Sequence, residues 1–132
     1  MREVTLAATQ MACGPDRAAN VVNAKKLVRA AKAKGAQIIL IQELFETPYF
    51  CKDQAAKHFA LAEPFEKNAL IGEFSSLARE LNVVLPVSYF ERANNAHFNS
   101  LAMIDADGSV LGNYRKSHIP DGPGYQEKFY FN

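Results

Sequence analysis

The sequence has almost no net charge. Its 15 Lys and Arg face 14 Asp and Glu, which leaves +1 at pH 7. That gives no electrostatic footprint for nucleic acid or an anionic membrane surface. No stretch approaches the ~20 apolar residues of a membrane span. The opening MREVTLAATQM lacks the basic-then-apolar order of a signal peptide and reads as a strand. Cysteine is scarce, limited to Cys13 and Cys51. Without a secretion signal, a reducing cytosol is expected rather than a disulfide scaffold. The three histidines, His58, His97 and His118, are scattered without ligand spacing, so a zinc site has little support. His118 is expected to order its loop by hydrogen bonding. No G-x-S-x-G elbow, P-loop or G-x-G-x-x-G is present, which removes the functions those motifs signal.

What is present is ordinary globular material. The chain has 132 residues, 48% hydrophobic and 22% charged, enough for one domain with a real core. Val4 to Met11 reads as a first strand, broken by Gly14-Pro15-Asp16. From Arg17 to Lys34, Val21, Ala24, Val28 and Ala31 recur at helical spacing, with Asn20, Lys25, Lys26, Arg29 and Lys32 on the other side. Asp16 or Asn20 can cap the start of this helix, and Gly35 stands where a C′ glycine belongs. Gln37 to Ile41 follows as an unbroken apolar run, the pattern of a strand covered on both faces. Together these predict a βαβ crossover and an α/β fold. Thr47 to Phe65, bracketed by Pro48 and Pro64, is a loop or short helix. Asn68 to Leu81 is helical, with an apolar stripe of Leu70, Ile71, Phe74, Leu77, Ala78 and Leu81. Val83 to Phe90 is a third strand with an awkward Pro86, which needs a bulge or an unpaired donor position. Phe98 to Asp105 and Val110 to Lys116 flank Asp107-Gly108, a hairpin signal. There is no linker, so residues 1–132 are expected to belong to one domain.

Three residues can carry chemistry. Glu43 follows the apolar run ending at Ile41, and ligands gather at the carboxyl ends of strands in open α/β sheets. A carboxylate there is either a general base or a solvated strand end. Lys116 holds the corresponding place after another strand, as an oxyanion-stabilising ammonium or a surface lysine beside Arg115. Glu127 lies among Tyr125, Phe129, Tyr130 and Phe131. A carboxylate in such surroundings needs a partner, either Lys116 from a distance or Lys128 locally. Cys13 and Cys51 are nucleophiles only with a depressed pKa, and cysteine is more often simply buried.

Four stretches make the sequence similar to the nitrilase superfamily of carbon–nitrogen hydrolases: LAATQM, GAQIILIQELFETPYF, NNAHFNSLAMID and YRKSHIP. Their order and spacing span nearly the whole chain. Within the superfamily, FETPYFCKDQ and KSHIPDGPGYQEKFYFN most resemble the N-carbamoylputrescine amidase branch. The resemblance implies a four-layer α-β-β-α sandwich, of which this chain supplies about the N-terminal half. It implies that Glu43 is the general base, Lys116 the oxyanion-stabilising cation and Glu127 a further glutamate positioning lysine and substrate. The family nucleophile is a cysteine on a strand-to-helix elbow beyond the Lys116 stretch. Neither Cys13 nor Cys51 matches it, so the 132-residue chain alone is expected to be inactive. The implied reaction is attack of a thiolate on an amide or ureido carbonyl, with no cofactor and no metal. The implied partner is a small-molecule ureido or amide substrate; β-ureido acids and ω-amides are alternatives, as is a non-catalytic truncated module completed by another chain. The Thr47–Lys52 and Asp121–Gly124 loops are expected to line the pocket. A homo-oligomer, or association with a complementary segment, is expected to cover a bare sheet face.

Overall fold

The structure is a computed structural model and describes residues 3–132. Strand β1 (Leu6–Ala8) leads through Asp16 into helix α1 (Arg17–Ala33). The Asp16 carboxylate accepts the Ala19 N–H at 3.1 Å and closes the first turn. Gly35 ends the helix at φ 91°, a left-handed conformation that costs glycine little. Strand β2 (Ile38–Leu40) then pairs parallel with β1, in register Ala7 to Ile39, which is the βαβ unit the sequence predicts.

Asn20 departs from the expected polar face. It is buried, donating to the carbonyls of Gly14 and Glu46 (both 2.8 Å) and accepting from Gly14 N–H. A helix position facing a loop can be polar and buried when every valence is filled.

Two short 3-10 turns, Phe50–Lys52 and Ala56–Leu61, occupy the segment bracketed by prolines. Helix α2 (Ala69–Leu81) begins at Asn68, whose side chain accepts the Ile71 N–H. Its apolar stripe is buried from Leu70 to Ala78. Phe74 meets Phe45 edge-on, with centroids 5.5 Å apart. Truncating a ring this deep costs about 3–5 kcal/mol.

Strands β3 (Leu85–Ala93), β4 (Ala96–Ile104) and β5 (Val110–Arg115) form an antiparallel meander. Asn94, at φ 54°, turns the first hairpin, and Gly108, at φ 85°, the second. Val84 links this sheet to β2 by donating to Gln37 O and accepting from Ile39 N–H. Alternation along the strand points the ring nitrogen of Pro86 to that same side and off the β4 ladder, so the proline costs the meander no bond.

Both helices lie against one face of this layer, over Ile39, Val83, Leu85, Val87, Ala102 and Ile104. The opposite face is open. Leu40 is 47% exposed and Tyr114 60%, so β2 is not covered on both faces as its apolar run predicts. An unbroken apolar run reports what a strand can bury, not what lies over it within these residues. A second cluster of Leu44, Phe50, Cys51, Ala62, Phe90, Tyr130 and Phe131 anchors the last residues beside the loop after β2.

Candidate active site

Glu43, Lys116 and Glu127 meet at one end of the sheet. Glu43 stands just past β2. The next residue, Leu44, is buried at φ 51°, a left-handed conformation that costs a bulky side chain on the order of 1–3 kcal/mol. Its N–H donates to Ser88 Oγ at 3.0 Å, so β3 holds the turn that aims Glu43. Lys116 stands just past β5, where its backbone N–H donates to Asn99 O at 2.8 Å and closes the ladder. Glu127 opens a short 3-10 turn, Glu127–Phe129, and is 3% exposed. The Gln126 N–H binds Cys51 O at 2.6 Å, and the Tyr130 hydroxyl donates to Asp53 O at 2.7 Å. The last segment is thereby clamped to the loop after β2.

The side chains form a linear network. The Lys116 ammonium donates to Glu43 Oε1 at 3.0 Å and to Glu127 Oε2 at 2.8 Å. Asn99 Nδ2 donates to the same Glu43 oxygen at 2.5 Å. The Tyr49 hydroxyl donates to Glu127 Oε1 at 2.7 Å. An ammonium has three donors, and two are used here. Among the described residues Glu43 Oε2 has no partner, and the Glu43 side chain is 48% exposed. One acidic and one basic valence are thus left over, on two residues that line the same cleft.

The electrostatics follow from this geometry. Burial works against the charge of Lys116, but its hydrogen bonds to Glu127 and Glu43 outweigh that and hold the ammonium above the ordinary lysine value. Burial first, and then the bond to Glu127, raise the Tyr49 phenol, so it stays a donor. Cys51 is wholly buried behind the network. Burial, followed by the charges of Glu127 and Glu43, pushes its thiol up to about 12. That is the reverse of an activated nucleophile. Burial also raises the Cys13 thiol, which donates to Phe45 O at 3.2 Å.

Two clefts flank Glu43. One, of about 330 Å³, is lined by Leu40, Ile41, Asn99, Leu101, Tyr114 and Lys116. The other, of about 270 Å³, is lined by Cys13, Gln42, Thr47, Pro48 and Tyr49. Thr47, Pro48 and Tyr49 of the expected pocket loop thus border the site, whereas Asp121, Pro123 and Gly124 are exposed and border neither cleft. His118 also departs from expectation: it is exposed and makes no hydrogen bond among the described residues. Glu127 pairs with Lys116, not with its neighbour Lys128. Among the described residues no cluster of His, Cys, Asp and Glu could hold a metal ion, and no helix is long and apolar enough to cross a membrane.

The sequence reading missed Asn99 and Ser88, and placed Tyr49 only in a pocket loop, without its bond to Glu127. Asn99 is a buried polar residue within a strand, between Phe98 and Ser100, and Tyr49 lies six residues after Glu43 in a stretch already singled out. Their partners are 56 and 78 residues away, so only the fold reveals the contacts.

The carbon-nitrogen hydrolase family model matches residues 5–132. The chain belongs to the carbon–nitrogen hydrolase family. It is 63% identical over 131 residues to an N-carbamoylputrescine amidase of Solanum tuberosum, covering 99% of this chain and 44% of that protein. The corresponding protein of Arabidopsis thaliana is 60% identical over the same shares. A citrullinase of Francisella tularensis is 47% identical, covering 100% of this chain and 46% of that protein. The crystal structure of a carbon-nitrogen hydrolase from Helicobacter pylori superposes with a TM-score of 0.89 at 38% identity, over 98% of this chain and 44% of that one. An amidase from Nesterenkonia sp., at 22% identity and TM-score 0.80, shares the fold, over 98% of this chain and 47% of that one. The chain therefore carries the nitrilase-type α/β fold, and contributes one helical and one sheet layer of it. It spans less than half the length of the curated relatives it matches.

Proposed function

We propose that this chain supplies the general base and the oxyanion cation of a cysteine-dependent hydrolase that cleaves a ureido C–N bond, with N-carbamoylputrescine as substrate. The observation that carries the reading is the Lys116 ammonium bridging Glu43 and Glu127 at 3.0 and 2.8 Å, with one donor left over. The nucleophile is a thiol from residues outside this chain, since both thiols within it are held above their ordinary pKa.

The steps follow from the open valences. Glu43 Oε2 takes the proton of the attacking thiol, because Oε1 is already engaged by Asn99 and Lys116. Sulfur adds to the ureido carbonyl carbon and the carbonyl electron pair moves to oxygen. The third Lys116 N–H donates to that oxyanion. Glu43 returns its proton to the departing nitrogen. It then takes a proton from water, whose oxygen adds to the acyl carbon. The acyl–sulfur bond breaks, the thiolate regains the proton from Glu43, and the released carbamic acid loses carbon dioxide, which frees the second nitrogen. Overall, one ureido group and one water become an amine, carbon dioxide and ammonia. Glu127 fixes the ammonium from its far side.

The four amidase relatives at 59–63% identity support a carbamoylated diamine. The citrullinase relative supports a second reading on the same chemistry, since citrulline also carries a ureido group. Ammonia release from N-carbamoylputrescine, citrulline, a β-ureido acid and an ω-amide separates them. The assay uses the polypeptide carrying this chain, at the length of its relatives. The proposal expects the largest kcat/KM for N-carbamoylputrescine. A preference for the ω-amide would overturn the ureido assignment.

A further inference from the structure

Lys116 has a neighbour that points the other way. Side chains alternate across a strand, so as β5 delivers Lys116 to the clefts it turns Arg115 to the opposite face. There Arg115 meets Glu91 of β3, whose side chain is 2% exposed. Nη2 donates to Glu91 Oε1 at 2.6 Å and Nε to Oε2 at 3.0 Å. Ser100 Oγ and Asn113 Nδ2 donate to Oε2 at 2.5 and 3.0 Å. Asn113 is fixed in turn by the Tyr89 hydroxyl at 3.0 Å. The guanidinium lies 3.9 Å from the centre of the Phe98 ring.

These donors sit on β4 and β5, the strands that carry Asn99 and lead into Lys116. The chemistry proposed above gives Glu91 no task. Nor does stability alone account for it: the Arg115 side chain is 45% exposed, and an ion pair with one partner in solvent adds little net stability. What the pair adds is direction. A guanidinium held at two nitrogens by one carboxylate is fixed in both position and angle. The other end of β5 lacks such a device; its register slips between Met103 and Ile104.

We propose that Glu91 is a positioning residue: its two-pronged grip on Arg115 locks the end of β5 and so sets where the Lys116 ammonium stands between Glu43 and Glu127. The kinetic consequence rests on the reading of Lys116 as the oxyanion cation; the geometric one does not.

The test uses the polypeptide at the length of its relatives, with its lysines labelled at Cε and Nζ. The variants are Glu91→Gln/Arg115→Met, which removes both charges so that neither is stranded, and Arg115→Lys, which keeps the charge and loses the fork. Removing a carboxylate and a guanidinium together leaves the local charge balance unchanged. A shift in Lys116 titration then reports position. For the double variant the expected result is a native circular dichroism spectrum. Its Lys116 titration falls toward the ordinary lysine value as the bonds to Glu43 and Glu127 loosen. Its kcat on N-carbamoylputrescine falls about ten- to a hundredfold with little change in KM. Arg115→Lys falls between the two. A folded double variant with wild-type Lys116 titration and wild-type kcat overturns the proposal. If the double variant does not fold, the same two readouts on Arg115→Lys decide it. If the wild type turns over no ureido substrate, the functional reading fails while the Lys116 titration still tests the positioning.

Discussion

Two carboxylate–cation clusters lie on opposite faces of one sheet, governed by adjacent residues, Arg115 and Lys116. On the covered face, Glu91 takes four hydrogen bonds and both of its oxygens are engaged. On the open face, Glu43 takes two on one oxygen and none on the other among the described residues. On the roles proposed above, the same pair of chemical types does two jobs. A carboxylate with all its valences filled fixes geometry. One with a valence left over, beside a lysine with a donor left over, is able to move a proton. The count of filled valences, not burial alone, separates the scaffold from the site.

Glu43→Gln breaks the open side with the largest expected effect. Loss of the proposed general base should lower kcat by about 10² to 10⁴. Because the Glu43 side chain is half-exposed, stability should change by less than about 1 kcal/mol, as checked by urea unfolding. Glu91→Ala should act on both quantities, lowering kcat through a displaced Lys116 and stability through the broken pair. It leaves a half-exposed guanidinium that solvent can rehydrate and the Ser100 and Asn113 donors unpaired, so unfolding should show a loss of about 1–3 kcal/mol. Next comes Tyr49→Phe. It removes one donor from a buried carboxylate, Glu127, and should cost about 1–3 kcal/mol in stability, with a fall in kcat as Glu127 loses its fixed orientation.

The pH dependence of stability sharpens the contrast from the other direction. Burial opposes the charge of Glu91, but the bonds from Arg115, Ser100 and Asn113 outweigh it and hold its folded pKa below the ordinary 4.5. The unfolded chain binds that proton first. Stability from Glu91 is therefore complete above pH 4.5 and lost as pH falls through the depressed value. Lys116 runs the opposite way. Its folded pKa lies above the ordinary 10.5, so its contribution is complete below that pH and lost as pH rises through the folded value. Denaturant midpoints across both ranges should fall at each end. The Glu91→Gln variant should lose much of the acid limb and keep the alkaline one.

The smallest effect on activity belongs to Cys51→Ala. A thiol pushed up to about 12 stays protonated at neutral pH. Its removal should cost packing, about 1–2 kcal/mol, and leave kcat within about threefold. Iodoacetamide should leave Cys51 unmodified in the folded protein.

Much of this arrangement was legible in the order of residues. Local signals fixed the helices: Asp16 and Asn68 cap them, Gly35 ends the first, and the stripe from Leu70 to Ala78 buries the second. Glu43 and Lys116 were legible because a strand end is a local feature, and resemblance tied Glu127 to them. What stayed hidden depends on contacts far apart in sequence. Asn99 and Tyr49 acquire meaning only when register brings them to Glu43 and Glu127. Glu91 reads as one charge among many until β4 and β5 close over it. The apolar run of β2 by itself reads as covered on both faces, because it records an appetite for burial, whereas the resemblance to half of a sandwich implies the bare face that Leu40 lies on.

The most direct measurement is acid-quench mass spectrometry of the polypeptide at the length of its relatives, incubated with N-carbamoylputrescine and digested to locate the adduct. The account predicts a transient acyl group on a cysteine beyond Asn132, one that Glu43→Gln prevents from forming at a measurable rate. An adduct on Cys13 or Cys51, or turnover that continues undiminished in Glu43→Gln, would contradict it.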